Sequence, residues 1–403
     1  MNTQVRAHFP SLSHQAGSRF AVFLDGPAGT QMPAVVIDAI SNYYRTANAN
    51  THGQFVTSHE TDELMAKTRE RCASFLNAER ADCISFGQNM TTLCFSLSRG
   101  IGRMLKPGDE IVITQLDHEA NRGPWLTLQN RGVVVREIHL LPDGTLDYED
   151  AAIKINKKTK LVAAGLASNM LGTVNNIPLL RTLSSDVGAW LLVDAVHSAP
   201  HFLTDVQFLG CDFLLCSAYK FYGPHVGILY SKPGLLAQVP VDRLRVQEQR
   251  PPYMIETGTL NHAAIAGVSA AIDFIASLGN GSTLRIQLEN AFAQIRKHEF
   301  FLAQKLWNEL KSIPGTTLYG QDFDNTLRAP TIAFTLDRMG AESVCRSLAA
   351  KGIFAWDGHF YAIRAAEILD LPDKGGVIRM GVVVYNTMEE IEYVAEQLES
   401  IMN

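Results

Sequence analysis

Two ionisable side chains at the ends of apolar runs are the most informative feature of this sequence. Asp194 ends a run that starts at Trp190, and Lys220 follows a second run that starts at Cys211. A lysine so placed can hold pyridoxal phosphate as a Schiff base, and an acid can pair with the protonated pyridine nitrogen of that cofactor. Protonation of that nitrogen makes the ring an electron sink. The pair therefore predicts an enzyme that depends on pyridoxal phosphate.

The elements that must position these residues lie between residues 30 and 280. Short apolar runs occur at 83–86, 111–113, 133–135, 161–164, 190–193, 213–215 and 227–230. Such unbroken runs are typical of parallel strands that are covered on both faces. Helical patterns, including 58–77 and 121–129, lie between them. The pattern predicts an α/β sheet, in which ligands bind beyond the carboxyl ends of the strands.

A different pattern follows residue 280. A long helical pattern covers 282–313, strand-like runs lie at 316–319, 331–334 and 377–384, and further helical patterns cover 341–351 and 388–402. We therefore expect a large α/β domain over 30–280, with a mainly parallel sheet. We expect residues 1–29 and 281–403 to form a smaller α+β domain.

Composition excludes several classes of protein. The 403 residues carry a formal net charge of −6, so no overall basic field favours nucleic acid or an anionic membrane surface. No apolar run reaches the roughly 18 residues that cross a bilayer, and the first 20 residues do not resemble a secretory signal. The six cysteines show no C-x-x-C spacing. We expect them to be reduced thiols of a cytoplasmic protein, and we expect no metal site.

Several motifs in a fixed order resemble the class V aminotransferase group of pyridoxal phosphate enzymes, above all the cysteine desulfurases and selenocysteine lyases. They are FLDGPAG at 23–29, DHEAN at 117–121, SNMLGT at 168–173, VDAVH at 193–197, SAYKFYGP at 217–224, GTLN at 258–261, RMG at 379–381 and YNT at 385–387. The resemblance covers nearly the whole chain. It implies the aspartate aminotransferase-like fold, known as fold type I, and a homodimer with shared active sites.

The resemblance also implies a role for each matching residue at the cofactor. Lys220 would carry it, Asp194 would pair with the pyridinium nitrogen, and His118 would stack on the ring and move protons. The residues that would contact the phenolic oxygen or the phosphate are His197, Asn169, Asn89, Met90, Thr91, Ser217, Tyr219 and, across the dimer interface, Thr259. A helix start at Asn89 suits a phosphate, because free backbone amides there bind anions.

The substrate end departs from the desulfurase pattern. Arg379 matches the arginine that binds the substrate carboxylate, and His52 matches a histidine near the pocket mouth. Tyr361, however, stands where the desulfurases carry the cysteine that accepts sulfur, and Trp356 stands where they carry an arginine. A phenol cannot form a persulfide. We therefore expect cleavage of the C–S or C–Se bond of a small amino acid without a persulfide cysteine.

Two alternatives stay open at this point. An amino-acid epimerase or an aminotransferase would use the same residues, because each reaction begins with loss of a proton from the substrate Cα. A non-catalytic protein that kept the fold and binds a partner is the alternative from another class. The presence of Lys220, Asp194, His118 and Arg379 favours an enzyme.

Overall fold

The computed structural model describes residues 2–17, 19–324, 326–371 and 375–402. The strands are β1 (Gln15–Ala16), β2 (Arg19–Phe20), β3 (Val22–Phe23), β4 (Ile84–Gly87), β5 (Glu110–Thr114), β6 (Val134–Ile138), β7 (Thr159–Gly165), β8 (Trp190–Asp194), β9 (Phe213–Ser217), β10 (Gly227–Ser231), β11 (Thr316–Tyr319), β12 (Thr331–Leu336), β13 (Ile353–Phe354), β14 (Trp356–Gly358) and β15 (Val377–Gly381).

The α-helices fill the intervals between these strands. They are α1 (Asn2–Arg6), α2 (Ala34–Thr46), α3 (Val56–Leu76), α4 (Met90–Met104), α5 (Gly123–Leu126), α6 (Tyr148–Lys154), α7 (Ile177–Asp186), α8 (Val206–Leu209), α9 (His262–Ser277), α10 (Leu284–Ser312), α11 (Ala341–Ala350), α12 (Ile363–Ile368) and α13 (Met388–Met402). No helix in the described part of the chain is long and apolar enough to cross a membrane.

Seven strands form the main sheet, in the order β4-β10-β9-β8-β7-β5-β6. Strands β5 to β9 are parallel, as the unbroken apolar runs predicted. Strand β10 runs antiparallel to both of its neighbours, which corrects the expectation of a parallel strand there. The short link over 218–226 explains the reversal, because a parallel crossover needs a dozen residues or more.

The apolar runs of the central strands are unbroken because these strands pack against a core on both sides. In β8, Leu191 and Val193 belong to one buried cluster and Leu192 belongs to the cluster on the opposite face. Side chains alternate across a sheet, so every position must be apolar when both faces are covered. Strands β8 and β9 therefore become polar only at their ends, where Asp194 and Ser217 lie.

The second sheet has the order β11-β12-β15-β14 and lies wholly within the last third of the chain. Its strand pairs are antiparallel, and a third apolar cluster packs it against α10, α11 and α13. Strand β3, near the N-terminus, pairs with β13. This grouping agrees with a small domain built from both ends of the chain, although the boundaries at 29 and 281 stay a prediction.

Three local expectations differ from the structure. The pattern at 121–129 predicted one helix, but the structure has α5 flanked by two 3-10 turns. Pro124 lies in the first turn of α5, where it prevents a continuous helix from the residues before it. The strand expected over 377–384 ends at Gly381. Helices α2 and α9 were not predicted. Most side chains of α9 are buried, so it lacks the polar face that reveals a helix by its periodicity.

A buried ion pair joins the long helix α3 to the main sheet. Arg69 donates from Nη1 and Nη2 to the two carboxylate oxygens of Glu256, each at 2.7 Å. The same carboxylate accepts from the backbone N–H of Phe86 in β4, and Arg69 also donates to the carbonyl of Ile84. Both charged side chains are about 5% exposed. These four hydrogen bonds offset part of the free energy lost when both charges leave water.

Removal of Glu256 should therefore destabilise the protein strongly. We expect Glu256→Ala to lower the free energy of unfolding by about 3–5 kcal/mol, because Arg69 would remain buried without its partner. Asp273→Ala is the matched control. It removes the carboxylate that pairs with Arg71. Because Asp273 is 46% exposed, this change should lower the free energy of unfolding by less than about 1 kcal/mol. Urea unfolding followed by tryptophan fluorescence measures both. Equal losses for the two variants would contradict the assigned role of the buried pair.

Candidate active site

A cavity of about 680 Å³ lies beyond the carboxyl ends of the central parallel strands. That volume is typical of a small-molecule site. The predicted residues that line it are Asn89, Met90, Thr91, His118, Asn169, Asp194, His197, Ser217, Tyr219, Lys220, Tyr361 and Arg379. His52 and Thr259 do not line it. Both are exposed in the single chain, and the imidazole of His52 instead lies 3.1 Å from the carboxylate of Asp62.

Lys220 lies in a 3-10 turn directly after β9. Its Nζ donates to the backbone carbonyls of Pro27 and Ala28, the latter at 3.0 Å. Burial, reinforced by the positive charge of Arg379, lowers the pKa of Lys220 to about 7. A substantial fraction of the amine is therefore unprotonated at neutral pH, which is the form that attacks an aldehyde.

Asp194 is the last residue of β8, which pairs with β9. One carboxylate oxygen accepts from the backbone N–H of Val196 at 2.9 Å. Burial raises the pKa of Asp194 to about 7, and the charge of Asp117 acts in the same direction. A protonated ring nitrogen placed against this carboxylate would stabilise its charged form.

Asp117 is a site residue that the sequence reasoning did not single out, although it begins the DHEAN motif. Its buried carboxylate accepts from the backbone N–H of Gly165 and from the side-chain amide of Asn121, each at 2.9 Å. Burial raises the pKa of Asp117 to about 6. These bonds tie the turn that carries His118 to the end of β7, so Asp117 fixes the position of the imidazole.

His118 is held in one tautomer. Its Nδ1 accepts from the backbone N–H of Ala120 at 2.9 Å, which leaves the proton of the neutral ring on Nε2. Burial, with the charges of Lys220 and Arg379, lowers the pKa of His118 to about 4. The imidazole is therefore neutral at pH 7. The ring of Tyr361 stacks on it, with the ring centres 5.3 Å apart.

His197 and Asn169 lie on the side of the cavity that faces the second sheet. The Nε2 atom of His197 lies 3.0 Å from the hydroxyl of Thr331, and burial holds the pKa of His197 well below its usual value. The side-chain amide of Asn169 donates to the carbonyl of Phe360 at 2.8 Å, and its own Oδ1 is buried with no hydrogen-bond partner in the described part of the chain. A bound ligand with a hydrogen-bond donor would satisfy that oxygen.

The phosphate end of the predicted site is the N-terminus of α4. Asn89 caps this helix, because its side chain accepts from the backbone N–H of Thr92 at 2.9 Å. The backbone N–H of Met90 donates to the hydroxyl of Ser217 at 2.9 Å. Before a phosphate could use that N–H directly, Ser217 would have to turn away. The helix start, with Thr91, still presents positive potential to the cavity.

Arg379 lies in β15 of the second sheet, whereas Asp194 ends β8 of the main sheet. Its Nη1 donates to the carbonyl of Asn169 at 2.9 Å, and its buried Nε has no partner among the described residues. The ring of Phe360 lies 3.9 Å from the guanidinium carbon. Burial lowers the pKa of Arg379 to about 9, so it stays charged at neutral pH. A substrate carboxylate would satisfy the unused donors.

These groups fit pyridoxal phosphate end to end. An unprotonated amine suits the aldehyde, a buried acid suits the ring nitrogen, and a helix N-terminus suits the phosphate. The fit does not depend on any one of them alone. It follows from their arrangement around a single cavity between the two sheets.

Comparison with known proteins agrees with this arrangement. The model of the family described as aminotransferase class-V matches residues 22–394. A cysteine desulfurase from Shigella flexneri is 34% identical over 414 residues, covering 99% of this chain and 97% of that protein. A cysteine desulfurase from Pectobacterium atrosepticum is 32% identical with the same coverage.

Solved structures show the same similarity. The apo structure of a cysteine desulfurase from Thermococcus onnurineus NA1 has a TM-score of 0.88 at 26% identity, covering 100% of this chain and 99% of that one. The S-sulfonic acid form of the cysteine desulfurase CsdA from Escherichia coli has a TM-score of 0.86 at 26% identity, covering 99% and 98%. These matches confirm the family resemblance, fold type I and the cofactor predicted from the sequence.

Lys220 should react with the cofactor at a rate that follows its lowered pKa. Apoprotein mixed with pyridoxal phosphate and trapped with borohydride should carry the label on Lys220, faster as the pH rises through about 7, because the unprotonated amine is the nucleophile. Peptide mass mapping locates and measures the label.

The exposed Lys232 supplies the control. Lys232→Ala should keep the label, whereas Lys220→Ala should lose it. A label mainly on another lysine, or a rate that rises only near pH 10, would overturn the assignment of Lys220.

Proposed function

We propose that this chain, which belongs to the class-V aminotransferase family and uses pyridoxal phosphate, eliminates the sulfur or selenium of a small amino acid without passing it to a protein thiol. One observation carries this proposal. Tyr361, at the mouth of the cavity, is 68% exposed. All six cysteines, in contrast, are free and buried.

Burial makes the cysteines poor nucleophiles. It raises the pKa of Cys72 and of Cys345 to about 12, and it raises the pKa of the other buried thiols whose shifts are resolved. A protonated thiol does not attack sulfur. The sulfur of the substrate would therefore leave as a free thiol. We also propose a cytoplasmic location, in which six reduced cysteines are usual.

The residues of the cavity would divide the reaction between them. When bound, the cofactor withdraws electrons and so stabilises negative charge at the substrate Cα. Arg379 would bind the carboxylate and orient the substrate. Lys220 would accept the Cα proton at Nζ, and His118 would donate the proton of Nε2 to the departing sulfur.

The overall reaction balances without an oxidant or a reductant. L-cysteine and water give hydrogen sulfide, pyruvate and ammonium, and L-selenocysteine gives hydrogen selenide in place of sulfide. An epimerase or an aminotransferase would use the same carboxylate site and the same base. We favour elimination because the curated relatives reported above act on the sulfur of cysteine by name.

Incubation of the reconstituted protein with L-cysteine or L-selenocysteine should release pyruvate in equal amount to sulfide or selenide. Intact-protein mass spectrometry after L-cysteine should show no added sulfur atom, because no buried thiol reaches the substrate. Alanine as the main product, together with a persulfide on any of the six cysteines, would contradict the proposal.

We also propose that the active sites are shared in a homodimer. Thr259 and His52 match active-site residues but lie exposed and outside the cavity of their own chain. Large apolar side chains are exposed on and beside α2, namely Val35, Ile37, Tyr44, Phe55 and Val56. Exposed apolar groups in such numbers favour contact with another protein surface, and a second copy of the chain would bring Thr259 to a neighbouring phosphate site.

Mixing two inactive variants tests the shared site. Lys220→Ala lacks the cofactor lysine, and Thr259→Asp places a negative charge where a phosphate would bind. Each mixed dimer should contain one site with neither change, so equal mixing should restore about a quarter of the wild-type activity. Pyruvate release measures the recovery, and native mass spectrometry proves subunit exchange. No recovery after proven exchange would rule out a shared site.

A further inference from the structure

We infer that the preferred substrate is an S-substituted L-cysteine, a thioether whose sulfur carries an apolar or aromatic group. This inference rests on the elimination proposed above and extends it by naming the substrate class. The inference depends on three aromatic side chains that line the cavity, namely Trp356, Phe360 and Tyr361. We call these three side chains the aromatic wall.

The loop that carries the aromatic wall is anchored at two points. The carbonyl of Phe360 accepts from the side-chain amide of Asn169 at 2.8 Å, and the carbonyl of Tyr361 accepts from the backbone N–H of Glu119 at 2.7 Å. Phe360 and Tyr361 both have left-handed backbone conformations, with φ of 52° and 60°. That region is unfavourable for bulky residues, so these contacts must hold the loop in place.

Each member of the aromatic wall adjoins a reacting group. Phe360 covers the guanidinium of Arg379, and Tyr361 stacks on His118. Trp356 is the direct partner of Arg379 in the antiparallel β14–β15 pair. Directly opposite residues of such a pair have their side chains on the same face of the sheet. A substrate carboxylate held by Arg379 would therefore lie beside Trp356 and Phe360, and Tyr361 lies beside His118, the proposed proton donor.

Charge in the cavity disfavours an acidic side chain on the substrate. Among the described lining residues, the cationic side chains other than histidine are Lys220 and Arg379. Lys220 is needed for the cofactor and Arg379 for the α-carboxylate. His118 and His197 are neutral at pH 7, and two carboxylates, Asp117 and Asp194, lie on the same cavity. The third lining histidine, His225, stacks on the ring of Tyr219. A second negative group on the substrate would therefore find no further lysine or arginine among the described lining residues.

The group on the sulfur of a thioether can pack against the exposed rings of the aromatic wall, whereas free cysteine has no such group. Trp356 is 52% exposed and Tyr361 is 68% exposed. An apolar group on sulfur would remove part of these rings from water, which is favourable. The sulfur would leave together with its substituent, since all six cysteines are buried. The balanced reaction is thioether plus water to thiol, pyruvate and ammonium, and the C–S bond to the substrate Cβ is the bond that breaks.

A set of three thioethers tests the inference in the reconstituted enzyme. Pyruvate and free thiol are measured with S-benzyl-, S-methyl- and S-carboxymethyl-L-cysteine. We expect kcat/KM for the benzyl substrate to exceed that for the carboxymethyl substrate by about tenfold or more, a difference within the range set by hydrophobic pockets. Trp356→Ala should lower the ratio of benzyl to methyl kcat/KM by about tenfold. Phe208→Ala, which removes an aromatic ring from the surface of α8, should leave that ratio unchanged.

The outcomes separate this inference from the proposed function. Pyruvate from L-cysteine but not from S-benzyl-L-cysteine would overturn the inference and leave the elimination standing. An equal loss for both thioethers in Trp356→Ala would also overturn it, since the ring would then have a structural role only. No pyruvate from cysteine, selenocysteine or any thioether would overturn the proposed function and the inference with it.

Discussion

The burial of opposite charges at two neighbouring strand ends is the constraint on which the active site depends. Burial brings the pKa of Asp194 up to about 7 and that of Lys220 down to about 7. Between about pH 4 and 7 the carboxyl of Asp194 keeps its proton in the folded protein but has lost it in the unfolded chain, so the contribution of Asp194 lowers the free energy of unfolding as the pH rises through this range. Between about pH 10.5 and 7 the amine of Lys220 is neutral in the folded protein but charged in the unfolded chain, so the contribution of Lys220 lowers the free energy of unfolding as the pH falls through this range. A ligand with a cationic nitrogen and an aldehyde relieves both costs.

The protein can bury these two ionisable groups, despite the loss of stability, because the strands that carry them are fixed in register. Strands β8 and β9 pair in parallel, with Asp194 opposite Leu215, and alternate residues of each strand enter different cores. A slip by one residue would turn every apolar side chain to the wrong face. The two ionisable groups are therefore carried to the cavity by strands that cannot move without loss of the core, and Asp117 extends the same control to His118.

The buried strands and the site residues at their ends could be predicted from the sequence, because unbroken apolar runs identify such strands and the polar residues that follow them identify the site. The sequence did not predict pairings between distant parts of the chain. The hydrogen bond from Met90 to Ser217 and the β-pairing of Trp356 with Arg379 have no local signal, and β14 is too short to show a pattern. The reversed direction of β10 depended on loop length rather than on composition. Thr259 and His52 are exposed in the single chain, so their predicted roles require the second subunit proposed above.

Tyr361 and its neighbours in the loop contact several groups of the cavity. The carbonyl of Tyr361 accepts from the backbone N–H of Glu119 in a turn after β5, its ring lies on His118, and the ring of Phe360 covers Arg379. A thiol at position 361 would inherit a left-handed backbone and would lose the stacking contact without gaining a cationic neighbour to lower its pKa, since Trp356 has no charge. The two ends of the cavity are thus built by different parts of the fold: Asp194 and Lys220 lie at the ends of strands of the main sheet, whereas Phe360 and Tyr361 lie on a loop that follows β14 of the second sheet.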